Sequence, residues 1–213
     1  MTVSRRRLLA TSALAFLAGS LSAPLAFAQG AFDAAELATP GALPDMAIGK
    51  TDAKVTIVEY ASMTCGHCAH FHETVFPTLK EKYIDTGKVR MIYREFPLDP
   101  LAAAVSMLSR CAPADRYFDM TGMFYAKQKD WTRAADPVDA LFQLSKQTGF
   151  TRDTFKACLT DQKLLDQLSA GRTRASEKYK VDGTPTFFVN GRKFVGLSTV
   201  KELEDALAPF LAP

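Results

Sequence analysis

The stretch Val55-Thr56-Ile57-Val58-Glu59-Tyr60-Ala61-Ser62-Met63-Thr64-Cys65-Gly66-His67-Cys68 joins a short β-branched run to two cysteines separated by two residues. Val55 to Tyr60 suits a pleated strand and lacks a half-exposed strand's strict alternation, so it reads as a buried central strand. Thr64 then stands as a candidate N-cap. From Cys65 to about Tyr83, Phe71, Val75, Phe76 and Leu79 recur at helical spacing, with Gly87 as a stop. Val89-Arg90-Met91-Ile92-Tyr93-Arg94 follows as a second strand. Strand, helix, strand is the crossover unit that favours parallel pairing.

On this reading Cys65 sits at the helix N-terminus and Cys68 one turn inside, on the same face. Such a spacing brings Cβ atoms to about 5–6 Å, so a disulfide can open and close with little backbone motion. The helix dipole and unpaired N–H groups favour a Cys65 thiolate, and a protonated His67 would add positive charge. Cys68, deeper in the helix, is then the resolving thiol. Glu59, in the buried strand, is a candidate to pass a proton to or from Cys68, the alternative being a solvent-facing acid at a strand end.

Outward from this unit, residues 29–50 mix Ala, Pro, Gly and Asp, with breakers at Pro40-Gly41 and Pro44-Asp45, and read as an N-terminal arm. Downstream, a helical tract runs from about Leu101 to Tyr179, larger than a normal crossover. Ala104, Leu108 and Cys111 share a face of its first helix, and Asp136-Pro137 opens another with Val138, Leu141, Phe142 and Leu144 as apolar positions. Gly149 ends that helix and Thr151 caps the next, where Phe155, Cys158 and Leu159 share a face. Leu164, Leu168, Gly171, Ala175 and Tyr179 continue on a long final helix. Thr186-Phe187-Phe188-Val189 and Lys193-Phe194-Val195 flank Asn190-Gly191, a strong hairpin signal, and an amphipathic helix from about Thr199 to Phe210 closes the chain.

The 213 residues are 47% hydrophobic and 23% charged, which fits a globular chain and excludes collagen, disordered tails and disulfide-dense miniproteins. Arg5, Arg6 and Arg7 supply the whole formal charge of +3, and the first 28 residues hold no Asp or Glu. Without them the charges balance, which leaves no electrostatic footprint for nucleic acid. That N-terminus has a basic head, an Ala/Leu-rich stretch and Ala26-Phe27-Ala28, the three parts of a cleaved export signal over 1–28. The order Ser4-Arg5-Arg6-Arg7-Leu8-Leu9 resembles the twin-arginine signal, with the general secretory route as the alternative. The expected location is therefore periplasmic, an oxidising space where disulfides persist.

The run from Glu59 to Cys68, Gly183-Thr184-Pro185-Thr186 far downstream, the helical insertion and the Tyr93-Arg94-Glu95-Phe96-Pro97 stretch leading into it resemble a DsbA-like periplasmic thiol:disulfide oxidoreductase of the thioredoxin superfamily. The resemblance implies an α/β thioredoxin fold with an inserted helical domain. Residues 51–98 and 172–213 would form the thioredoxin-like domain and 99–171 the helical insertion. It implies a redox-active Cys65–Cys68 disulfide, a cis-proline at Pro185 against it, a tuning position at Thr184 and a buried acid at Glu59. Cys111 and Cys158 then have two readings, a structural disulfide such as some relatives carry or two buried free thiols. Closing that loop would contribute about 4 kcal/mol in the chain-entropy model.

What the resemblance implies in function is a donor of disulfides to reduced exported client proteins by exchange at Cys65 and Cys68. It would be monomeric, without a bound cofactor, and re-oxidised by a DsbB-like quinone-linked membrane oxidase. Threonine before the proline is shared with isomerase-type relatives, which keeps a disulfide isomerase or reductase as the alternative. A different class is a zinc or copper protein using Cys65, Cys68 and His72, at helical spacing on one face. No second ligand pair at zinc-finger spacing accompanies them, so no metal is assigned.

Overall fold

The computed structural model describes residues 32–212, and the segment read as an export signal lies outside them. In chain order the strands are β1 (Met46–Ile48), β2 (Val55–Ala61), β3 (Val89–Glu95), β4 (Thr186–Val189) and β5 (Arg192–Val195). They form one sheet of order β1-β3-β2-β4-β5. β2 pairs parallel with β3 and antiparallel with β4, while β1–β3 and β4–β5 are antiparallel. This is the α/β architecture that the resemblance implies. Its centre is β2, whose residues are nearly all buried.

Successive side chains of a strand point to opposite faces, and β2 divides the core accordingly. Val55 and Ile57 pack with Phe71, Val75, Leu79, Leu203 and Leu207 on one face, and Val58 and Tyr60 with Ala175, Tyr179 and Phe188 on the other. Glu59 follows Ile57 in the alternation and so faces the helix that carries the cysteines.

That helix is one rod of four segments, α2 (Gly66–His70), a π turn (Phe71–Val75), α3 (Phe76–Leu79) and a second π turn (Lys80–Ile84). Pro77 explains the first interruption. It has no N–H to continue the ladder and its ring crowds the carbonyl four residues back. The chain widens there, and Phe76 N–H bonds to Phe71 O, five residues back. Thr64 is not the cap. The side chain of Cys65 itself accepts from the Cys68 N–H, while Thr64 Oγ1 donates to Asp99 Oδ2 at 2.5 Å.

From residue 32 on, the stretch read as an arm is partly built into the sheet. It carries α1 (Ala34–Leu37) and the edge strand β1. Two arginines tie it down: Arg94 donates to both oxygens of Asp45 at 2.8 Å, and Arg110 donates to Pro44 O and to both oxygens of Glu95.

The helical tract comprises α4 (Pro100–Cys111), α5 (Tyr117–Ala126), α6 (Gln128–Thr132), α7 (Pro137–Ser145), α8 (Arg152–Leu159) and α9 (Gln162–Tyr179). Asp99, Asp136, Thr151 and Asp161 cap α4, α7, α8 and α9 with their side-chain oxygens. Trp131, Phe124, Leu141 and Leu108 fill their shared core. Val138 is exposed, because its helix buries only Leu141, Phe142 and Ser145. α9 crosses the division expected at 171/172. Its Leu168 packs in the helical core, whereas Ala175 and Tyr179 pack on the sheet. A bond joins Cys111, exposed at the end of α4, to Cys158 of α8 across 47 residues.

The β4–β5 hairpin turns through Asn190 (φ 44°) and Gly191 (φ 87°), the pairing that matches the twist of the strands. A Cβ on Gly191 would lie 2.1 Å from Phe32 O, so only glycine fits. α10 (Val200–Leu211) closes the chain, capped by Thr199 and Glu202 reciprocally. Among the described residues, no helix is long and apolar enough to cross a membrane.

Candidate active site

Cys65 and Cys68 are both free thiols in this structure, Cys65 half-exposed and Cys68 buried. The Cys68 N–H points at the Cys65 sulfur at 3.4 Å. Opposite stands the Thr184–Pro185 bond, which is cis and brings the Thr184 carbonyl to 3.2 Å from the same sulfur. The loop and the helix N-terminus, more than a hundred residues apart in sequence, thus meet at one atom.

These surroundings make the two thiols unlike. Cys65 is lowered to about 5, first because the Cys68 thiol donates to its sulfur, against an opposing push from burial. The Thr184 hydroxyl and the N–H groups of Cys68 and His67 add to the lowering. The Thr184 hydroxyl is buried with no hydrogen-bond partner, so its proton is free to turn toward the sulfur. His67 contributes its backbone N–H, because its side chain points outward and is exposed. Cys68 is pushed strongly up, by burial first and then by its bond to Cys65 and by the negative charge of Glu59.

Beneath Cys68 lies a polar cluster that local sequence patterns reveal only in part. Glu59 is fully buried and both its oxygens lie 3.0–3.1 Å from His72 Nε2. Tyr125 stacks on the His72 ring, with centroids 4.5 Å apart and planes at 17°. Its hydroxyl meets that of Tyr93 at 2.7 Å. Gln128 of the insertion donates to the carbonyls of Met63 and Cys65 at 2.8 and 3.0 Å. Gln128 and Tyr125 escape motif reading, and Tyr93 is read only as part of a strand and the stretch after it, because separate elements meet here only through the fold.

Cys65, Cys68 and His72 do not form a ligand set, since His72 Nε2 is committed to Glu59. Among the described residues, no group of three or more His, Cys, Asp or Glu could hold a metal ion. His70, on the same helix, is exposed and bonds instead to Ser198 O. Beside Cys65 a groove of about 340 Å³ is lined by His67, Thr184, Pro185, Val195, Leu197 and Ser198. Val195 is 60% exposed, which leaves an apolar wall open to an extended chain. A thiolate poised at the edge of such a groove, with a protonated partner behind it, can exchange disulfides with a peptide laid along it.

The family model described as thioredoxin matches residues 42–208. A Rickettsia bellii chain named a protein-disulfide oxidoreductase is 38% identical over 148 residues, 69% of this chain and 57% of that relative. The chain thus spans little more than half the length of that relative. A Bacillus cereus chain named disulfide bond formation protein D is 33% identical over 150 residues, 68% of this chain and 69% of that one. The crystal structure of Wolbachia pipientis alpha-DsbA1 superposes with a TM-score of 0.75 at 31% identity, covering 84% of this chain and 96% of that one.

Proposed function

The chain belongs to the thioredoxin family, with DsbA-like relatives, and on that premise we propose that it is a thiol:disulfide oxidoreductase that donates the Cys65–Cys68 disulfide to exported proteins. The observation that carries this reading is the asymmetry of the two thiols: Cys65 lowered to about 5 and exposed at a groove, Cys68 pushed up and buried. Stabilising the Cys65 thiolate stabilises the reduced protein, and that makes the disulfide a stronger oxidant, a relation for which DsbA is itself the standard example.

A client thiolate attacks Cys65, the Cys65–Cys68 bond breaks, and a mixed disulfide forms on Cys65. The electron pair stays on Cys68, which takes a proton from the Glu59 side. A second client thiolate then attacks the client sulfur and Cys65 leaves as a stable thiolate. The reduced pair returns its electrons to a quinone-linked membrane partner that docks at the same groove. Thr184 and Pro185 hold the client strand by backbone groups, and the segment 1–28 directs the chain to the periplasm, where it works as a monomer. Cys111–Cys158 is structural.

The test is transfer to a reduced, unfolded secretory ribonuclease. Oxidised protein should convert ribonuclease thiols to disulfides with one disulfide lost per disulfide made. If the reduced form instead rescues mispaired ribonuclease while the oxidised form transfers nothing, the isomerase reading, favoured by Thr184 before the proline, replaces this one.

A further inference from the structure

The Glu59–His72 pair is the buried titratable cluster that the exchange steps above leave without a full role. Glu59 has no solvent contact, and among the described residues His72 is its only side-chain hydrogen-bond partner. Because an ionised carboxylate only accepts, His72 Nε2 must carry the proton in both contacts. His72 follows Cys68 by one helical turn, so the two share a face. Glu59 reaches the same face from β2, the rings of Tyr93 and Tyr125 pack against His72, and Cys68, Tyr93 and Tyr125 all feel the Glu59 charge. Phe71 and Phe76 pack against the imidazole.

We propose that His72 is a positioning residue for proton transfer at Cys68: it grips both oxygens of Glu59 and shares one proton with it, so that the pair supplies the proton Cys68 takes up. The inference rests on the exchange activity proposed above, with Glu59 as the group that serves Cys68. When the client attacks, the Cys65–Cys68 bond breaks, the client–Cys65 bond forms, and the electron pair goes to the Cys68 sulfur. The shared proton moves to that sulfur, leaving Glu59 a carboxylate and His72 neutral. The pair then regains its proton from solvent through the His72 edge, which restores the contacts of this reduced structure, and re-oxidation passes the Cys68 proton out by the same route. A lone buried carboxylate would be costly in the ionised form, and the imidazole offsets that cost in the same step.

Stopped-flow reduction of the Cys65–Cys68 disulfide by dithiothreitol tests this, with rates expressed per dithiothreitol thiolate from about pH 5 to about pH 9. The native rate should fall with rising pH over this range. His72→Gln should be roughly tenfold slower at neutral pH and flat with pH, since an amide cannot supply the proton, and Glu59→Gln should be at least as slow. The double variant should be no slower than the slower single one. If Glu59→Gln is slow while His72→Gln keeps the native rate and profile, the inference is overturned and the exchange reading stands. If both variants behave as native, the relay role of Glu59 falls with it. A measurement without variants guards against misfolding: the His72 ring NMR signals should differ between the oxidised and reduced protein, and identical titrations in the two forms would contradict the proposal.

Discussion

The Thr184 carbonyl lies 3.2 Å from the Cys65 sulfur, and the Thr184 hydroxyl is buried without a hydrogen-bond partner. The residue before the cis-proline thus stands directly against the Cys65 sulfur. Thr184→Val removes that hydroxyl at nearly constant volume. The Cys65 thiolate, read by its ultraviolet absorbance against pH, should then titrate higher by about one unit, as expected for loss of one hydrogen bond to a charged group. The disulfide should become less oxidising by about 30 mV. An unchanged titration would remove Thr184 from the tuning role.

Linkage sets the pH dependence of the couple. Cys65 is lowered in the folded reduced protein to about 5 from an ordinary value of 9.0, so its contribution to the reduced fold is fully present above the ordinary value. It is lost as pH falls through about 5. Between these limits reduction takes up one proton per two electrons. The potential should therefore fall by about 30 mV per pH unit, steepening to about 59 mV per unit below the Cys65 titration. A single slope of about 59 mV through neutrality would mean that Cys65 is not ionised there.

Cys68 should be inert to alkylation in the folded state. Burial and the Glu59 charge both hold it as a thiol, whereas Cys65 is half-exposed and ionised at neutral pH. Mass spectrometry after brief iodoacetamide treatment of the reduced protein should find the label on Cys65 alone, and Cys65→Ala should leave Cys68 unlabelled until denaturant is added. Equal labelling of both would contradict the assigned roles.

Much of this arrangement is readable from local patterns, and the reason lies in what is local. The β-branched run at Val55, the Asp and Thr caps and the Asn190-Gly191 turn each act over a few residues. The edge strand Met46–Ile48 escapes because three residues among Pro, Gly and Ala carry no pattern, and its place comes from pairing with β3 and from Asp45 meeting Arg94. The N-cap lies one residue past the Thr64 that local pattern suggests, because here the Cys65 sulfur accepts from the Cys68 N–H. Gln128, Tyr93 and Tyr125 are site residues by virtue of distant contacts alone.

The Cys111–Cys158 bond joins α4 to α8 and closes a loop of 47 residues. The double variant Cys111→Ala/Cys158→Ala should lose about 4 kcal/mol in denaturant unfolding by loop-closure entropy. Its Cys65–Cys68 potential should be unchanged, since neither residue touches the site. A shifted potential would show coupling between the two cysteine pairs.

The most direct test of the central claim is the equilibrium potential of Cys65–Cys68, measured against glutathione buffers in protein carrying the Cys111→Ala/Cys158→Ala change. A stabilised Cys65 thiolate beside a protonated Cys68 predicts a potential less negative than about −200 mV, that of a disulfide donor. A value more negative than about −260 mV, that of a couple kept reduced, would contradict it.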